Sequence, residues 1–122
     1  MDTQSLFSLT GRTALVTGGS RGIGKMIATG FIAQGAKVYI SSRKADVCEA
    51  VAEELGPNCI AVPQDISSVD GCKALAATMA EHESGVDILV NNAGAAWGES
   101  FETFPEAGWD KVMDLNVKSI FF

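Results

Sequence analysis

The residues of this chain best suited to do chemistry are three glycines spaced Gly18-x-x-x-Gly22-x-Gly24, within Thr17-Gly18-Gly19-Ser20-Arg21-Gly22-Ile23-Gly24. Glycine lets a backbone turn sharply and lets a phosphate come close to main-chain N–H groups. The first N–H groups of a helix lack internal partners and attract negative charge. Before the loop stands Thr13-Ala14-Leu15-Val16, with the continuous apolar character of a strand buried on both faces. After it come Ile23, Ile27, Ala28 and Phe31 at helical spacing. Strand, glycine loop and helix start, in that order, predict a cradle for the pyrophosphate of a dinucleotide. The glycines alone would also suit an ordinary turn.

A second constellation bears on which dinucleotide. Sites that select NAD place a carboxylate about 20 residues beyond the glycines, on the ribose 2′-hydroxyl. The next apolar strand instead ends in Ser41-Ser42-Arg43, with no carboxylate. An acid there would repel a 2′-phosphate, whereas the Ser42 hydroxyl and the Arg43 guanidinium donate to one. Arg21, inside the glycine loop, brings a second cation to the same end. These residues predict NADPH over NADH; the competing reading makes Arg21 and Arg43 solvated surface charges. His82 is the only histidine and no ligand spacing accompanies it, so no metal site is expected.

The elements that must position these residues alternate strand and helix, which predicts an α/β fold with a parallel sheet covered on both faces. The expected strands are 12–17, 37–41, 60–63 and 87–91, the last burying Ile88, Leu89 and Val90. The expected helices are 23–34, closed by Gly35, 46–55, with Asp46 as N-cap and Gly56-Pro57 closing it, and 68–83, with Leu75, Ala76 and Met79 on one face. A loop from Ala93 to Phe104 leads to a last helix, with Pro105 suited to its first turn.

The sequence of 122 residues has the size of one domain, and its hydrophobic content of 47% and charged content of 20% suit a globular protein. A net charge of −6 argues against non-specific nucleic-acid binding and gives no attraction to anionic lipid. No apolar run approaches the roughly 20 residues that span a bilayer, and Met1-Asp2-Thr3-Gln4-Ser5 lacks a signal-peptide pattern. Cys48, Cys59 and Cys72 form no C-x-x-C pair and read as reduced packing thiols, consistent with a cytoplasmic location. The helical pattern of Val112, Leu115, Asn116, Ser119 and Ile120 runs to Phe122 without a cap or polar tail. From this we expect residues 1–122 to be the N-terminal part of a longer domain.

Thr17-Gly18-x-x-x-Gly22-Ile23-Gly24, Asp65, Asn91-Asn92-Ala93-Gly94 and Asn116 together resemble the short-chain dehydrogenase/reductase family, over nearly the whole chain. Gly98 after Trp97 and the run Gly108-Trp109-Asp110-Lys111-Val112-Met113 look nearest to its 3-oxoacyl-thioester (acyl-carrier-protein) reductase branch, including the reductases linked to rhamnolipid synthesis. The resemblance implies the N-terminal half of a Rossmann-type doubly wound parallel sheet, with four strands and their helices. It implies that Thr17, Gly18, Ser20, Arg21, Gly22, Ile23 and Gly24 hold the cofactor and that Ser42 and Arg43 meet its 2′-phosphate. Asp65 would accept from the adenine amino group and the Ile66 N–H would face a ring nitrogen. The bottom-up alternative is that Asp65 shapes the entry to the next helix.

By the same resemblance Asn91 and Ala93 touch the cofactor through backbone, Asn92 ties the central sheet, and Gly94 admits the nicotinamide-side ribose. Asn116 sits mid-helix, where asparagine has poor propensity. The family's reason is a backbone distortion that holds a water for proton relay toward a catalytic lysine; the other reading pairs Asn116 with a neighbouring loop. Complete members also pair the last helix with a second copy, which makes Trp109, Val112, Val117 and Phe121 candidates for a homo-oligomer surface.

The implied reaction is hydride transfer between a nicotinamide and a small-molecule carbonyl or alcohol, with a Tyr-x-x-x-Lys pair and a serine handling the proton and oxygen. The only tyrosine is Tyr39, and four residues on stands Arg43. Three readings follow: a reductase represented by its cofactor half and inactive as a lone chain, a nucleotide-binding or interaction module without catalysis, or half of a split enzyme.

Overall fold

The computed structural model describes residues 2–122. A single turn, α1 (Thr3–Leu6), precedes the sheet and is capped by the Asp2 carboxylate, which accepts from the Gln4 N–H at 3.0 Å. Too short to show a period, it had no signature in the apolar pattern. Four strands, β1 (Thr13–Thr17), β2 (Lys37–Ser41), β3 (Cys59–Ala61) and β4 (Ile88–Val90), form one parallel sheet in the order β3-β2-β1-β4. The chain builds outward from β1 through β2 to β3, then returns to lay β4 on the other side of β1. That reversal changes which face each crossover helix covers.

Helices α2 (Gly22–Ala33) and α3 (Ala45–Leu55) cover one face, where Ala14, Val16, Val38 and Ile40 pack with Ala28, Cys48, Val51 and Ala52. Helix α4 (Val69–His82) covers the other, where Leu15 and Tyr39 pack with Ile66, Cys72, Leu75 and Met79. Alternate strand residues point to opposite faces, so each short strand feeds both cores. This is the doubly wound, Rossmann-type α/β arrangement expected from the sequence. The three cysteines are buried and free. Among the described residues no helix is long and apolar enough to cross a membrane.

Several local expectations are corrected. Asp46 is not the N-cap of α3: Lys44 holds that place and Asp46 lies in the first turn, where its charge suits the helix dipole. Strand β3 ends before Pro63, which lacks the N–H a ladder needs. Ile23 is 66% exposed, because the first turn of α2 overhangs the end of the sheet where the core stops. Ala76 is exposed beside the buried Leu75–Met79 stripe. Leu89 is 58% exposed, since β4 pairs only with β1 and no helix of the described residues closes over its outer face. Pro105 caps the last helix from outside rather than lying in its first turn.

After a 3₁₀ turn at Phe101–Thr103 the chain enters α5 (Glu106–Met113), widens into a π turn over Asp114–Lys118, and continues as α6 (Ser119–Phe121). Leu115, within the π turn, packs against the α4 core and ties this end of the chain to the sheet.

Candidate functional site

The carboxyl ends of the strands carry the site. Leaving β1, the backbone takes φ +65° at Gly18 and φ +54° at Gly22, a region other residues avoid. Gly24 serves closeness instead: a Cβ there would strike the Gly18 carbonyl oxygen and lie 2.5 Å from the Asn92 amide nitrogen. Arg21 is the last extended residue before α2 and makes no side-chain cap. The leading N–H groups of the helix are therefore left for an outside acceptor.

Thr17 and Asn92 lock β1 to β4 beneath this loop. The Thr17 hydroxyl accepts from the N–H groups of Asn92 and Ala93, each at 3.1 Å, and donates to the Val90 carbonyl at 3.3 Å. The Asn92 side-chain amide donates to the carbonyls of Thr17 at 3.1 Å and Gly18 at 3.2 Å. Every hydrogen-bonding site of the Thr17 hydroxyl is thus occupied within the protein, and the residue is 4% exposed. Its side chain positions the loop from behind.

Above the strand ends, between the loops following β1, β2, β3 and β4, lies a cavity of about 960 Å³. It sits at the crevice where the strand order reverses, the place open α/β sheets use for ligands. Of the sequence-predicted residues, Gly18, Ser20, Arg21, Gly22, Ile23, Ser42, Arg43, Asp65, Ile66, Ala93 and Gly94 line it. Thr17, Gly24, Asn91 and Asn116 are not part of its wall. Sequence reasoning missed Ser41, Lys44 and Gln64, which flank predicted residues, and Lys111, which arrives from α5 with no local pattern linking it to the cavity.

The chemistry of the wall suits a phosphorylated ligand. The hydroxyl oxygens of Ser41 and Ser42 are buried and have no hydrogen-bond partner among the described residues. A buried donor left unpaired is costly, so a phosphate oxygen placed there recovers energy. Arg21 and Arg43 form no ion pair among the described residues, and both are exposed at the cavity rim. Asp65 accepts from the Ser67 hydroxyl at 2.7 Å and the Ser67 N–H at 3.0 Å. These bonds, with the Arg43 charge as a lesser cause, hold its carboxyl below the usual range. One carboxylate oxygen therefore shapes the entry to α4; the other has no hydrogen bond among the described residues.

Asn116 lies at the centre of the π turn. Its side-chain oxygen accepts from the Ala95 N–H and its amide donates to the Ala95 carbonyl, both at 2.8 Å. The backbone distortion and the pairing with a loop, which stood as alternatives from sequence, are both present. Tyr39 belongs elsewhere: 1% exposed, it donates to the Glu83 carboxylate at 2.7 Å on the α4 face. Lys37 pairs with the same carboxylate at 2.5 Å.

Glycine loop, switch-point cavity and the Asn92 tie together stand on the N-terminal half of a Rossmann-type α/β fold. The family model for the short chain dehydrogenase matches residues 12–122, and the chain belongs to that family. It is 52% identical over 117 residues to the rhamnolipids biosynthesis 3-oxoacyl-[acyl-carrier-protein] reductase of Pseudomonas aeruginosa, covering 94% of this chain and 46% of that protein. It is 40% identical to the NADP-dependent (R)-specific alcohol dehydrogenase of Lentilactobacillus kefiri, over 93% of this chain and 46% of that one. The solved Pseudomonas aeruginosa RhlG/NADP active-site complex superposes with a TM-score of 0.90 at 52% identity, covering 94% of this chain and 46% of that chain. The chain thus spans about half the length of the curated relatives it matches.

Proposed function

We propose that residues 1–122 are the cofactor-binding part of one short-chain dehydrogenase/reductase domain whose parent protein is an NADPH-dependent carbonyl reductase. The observation that carries this reading is the pair of buried hydroxyls, Ser41 and Ser42, beside the guanidiniums of Arg21 and Arg43, all four without a partner among the described residues. That set donates to a 2′-phosphate and has no carboxylate to prefer a 2′-hydroxyl. The two relatives whose printed names carry NADP support the same choice.

In the parent, Gly18 to Gly24 and the start of α2 bind the pyrophosphate. Asp65 and Ile66 take the adenine edge, Asn91 and Ala93 offer backbone contacts, and Gly94 lets the far ribose approach. Bound nicotinamide supplies the hydride for reduction of a ketone, and the name of the first relative favours a 3-oxoacyl thioester. Asn116 keeps the π turn open for a proton-relay water. Val117 and Phe121, 52% and 82% exposed, support pairing of the last helix with a second copy in a cytoplasmic homo-oligomer.

The one tyrosine of residues 1–122, Tyr39, has Arg43 four residues on and is committed to Glu83, so these residues by themselves supply no Tyr-x-x-x-Lys proton donor and bind cofactor without turnover. The second reading is a nucleotide-binding module lacking catalysis. Titrating the protein with NADPH and NADH, before and after Arg21→Ala and Arg43→Ala, tests the cofactor assignment. NADPH affinity should fall at least tenfold and NADH affinity hold. Equal affinities in the unmodified protein would overturn it. Turnover of a 3-oxoacyl thioester by the parent decides between reductase and module.

A further inference from the structure

Val62 to Ser68, between β3 and α4, belong to no strand or helix, and within this loop Asp65 and Ile66 line the cavity. The Ile66 N–H makes no hydrogen bond among the described residues, although Ile66 is only 8% exposed. We propose that Gly71 and Cys72, in the first turn of α4, position this N–H and the Asp65 carboxylate for adenine, an inference that rests on the adenine reading of those groups.

Gly71 is buried, and a Cβ there would overlap the Asp65 carbonyl oxygen and lie 3.0 Å from its carbon. Only glycine lets the helix approach the loop this closely. The Gly71 N–H is directed instead to the Ser68 hydroxyl, the cap of α4, at 3.1 Å. The Asp65–Ile66 peptide is trans, so its C=O and N–H point in opposite directions. With the carbonyl turned against Gly71, the Ile66 N–H points away from α4. The next carbonyl is held as well, because the Cys72 thiol donates to the Ile66 C=O at 3.4 Å. The Ser119 carbonyl of α6 lies 3.8 Å from the same thiol. Ser67 fixes one Asp65 carboxylate oxygen through its hydroxyl and N–H, and the other has no bond among the described residues. A donor N–H and an acceptor oxygen on adjacent residues match the ring nitrogen and the amino group of adenine.

Hypoxanthine reverses both groups, because its ring nitrogen carries a proton and an oxygen replaces the amino group. The experiment therefore titrates the protein, by nicotinamide fluorescence, with NADPH, NADH and the hypoxanthine analogue of NADPH. The unmodified protein should prefer NADPH to the analogue at least tenfold, since a mismatched base leaves buried polar groups unpaired. Gly71→Ala should shrink that preference below about threefold. Cys72→Val, which keeps the bulk and removes the donor, should lower it at least about twofold. In both variants the NADPH-over-NADH ratio, read at Arg21 and Arg43, should stay unchanged. A base preference that both variants retain in full overturns the positioning role and leaves the adenine reading standing. Base and 2′-phosphate preferences falling in parallel show a general loosening and overturn it equally. With no base preference in the unmodified protein, the adenine reading of Asp65 and Ile66 fails and the positioning role falls with it. If Gly71→Ala does not fold, Cys72→Val decides alone.

Discussion

The Asn116 side-chain amide clasps both main-chain groups of Ala95, donating and accepting at 2.8 Å. A residue in the last helical region thereby fixes the loop after β4, at the edge of the cavity above the strand ends. Backbone N–H and C=O groups that leave a sheet must find partners, and here one amide satisfies both.

Asn116→Ala should accordingly cost about 1–3 kcal/mol of stability for two half-buried hydrogen bonds. Denaturant unfolding measures the loss. Hydrogen exchange should show the Ala95 amide opening much faster than amides in β1. Unchanged exchange at Ala95 would refute the clasp.

Gly24→Ala places a methyl group against the Gly18 carbonyl and the Asn92 amide. The loop must shift, and cofactor affinity should drop at least tenfold while α2 and α3 keep their packing. Cofactor titration alongside far-ultraviolet circular dichroism separates the two effects.

Ser42→Ala removes a buried hydroxyl that has no partner among the described residues. Stability without ligand should hold or rise slightly, because an unsatisfied donor disappears. NADPH affinity should fall several-fold. A variant destabilised by more than about 1 kcal/mol without ligand would show that the hydroxyl has an internal partner.

The Lys37–Glu83–Tyr39 cluster makes stability depend on pH. The Lys37 ammonium, chiefly, and the Tyr39 hydroxyl depress the Glu83 carboxyl below its ordinary value. A depressed carboxyl binds protons more tightly in the unfolded chain, so its contribution is present above the unfolded value and lost as pH falls through the folded one. Lys37 is raised, chiefly by its bond to Glu83, and that contribution is lost as pH rises through the folded ammonium value. Glu83→Gln should flatten the acid limb of a stability-against-pH curve; an identical limb in the variant would exclude Glu83 as its source.

Much of the fold was legible because parallel strands buried on both faces write unbroken apolar runs, as Ala14 to Val16 and Val38 to Ile40 do. The glycine loop was legible because Gly18 and Gly22 answer to local backbone geometry. What the sequence hid depends on distance in space. Lys111 reaches the cavity from α5, an element with no local pattern in common with the strand ends. Leu89 carries the strand pattern but lies at the sheet's edge, and edge position is a property of topology, not of a run of residues. The resemblance put Thr17 at the cofactor without saying what its hydroxyl does. Its partners, Val90, Asn92 and Ala93, come from more than seventy residues away.

One amide nitrogen, that of Asn92, occupies the space a side chain would need at both Gly18 and Gly24, 2.8 Å and 2.5 Å from the two ideal Cβ positions. Two positions of one loop and a third about seventy residues further on are therefore not free to drift singly. A smaller residue at 92 would relieve only one of the clashes at 24, since the Gly18 carbonyl oxygen would still block a methyl group there. It would also forfeit the bonds to Thr17 and Gly18 that hold the loop. Substitutions here are epistatic, and lineages should change these sites together or keep all three.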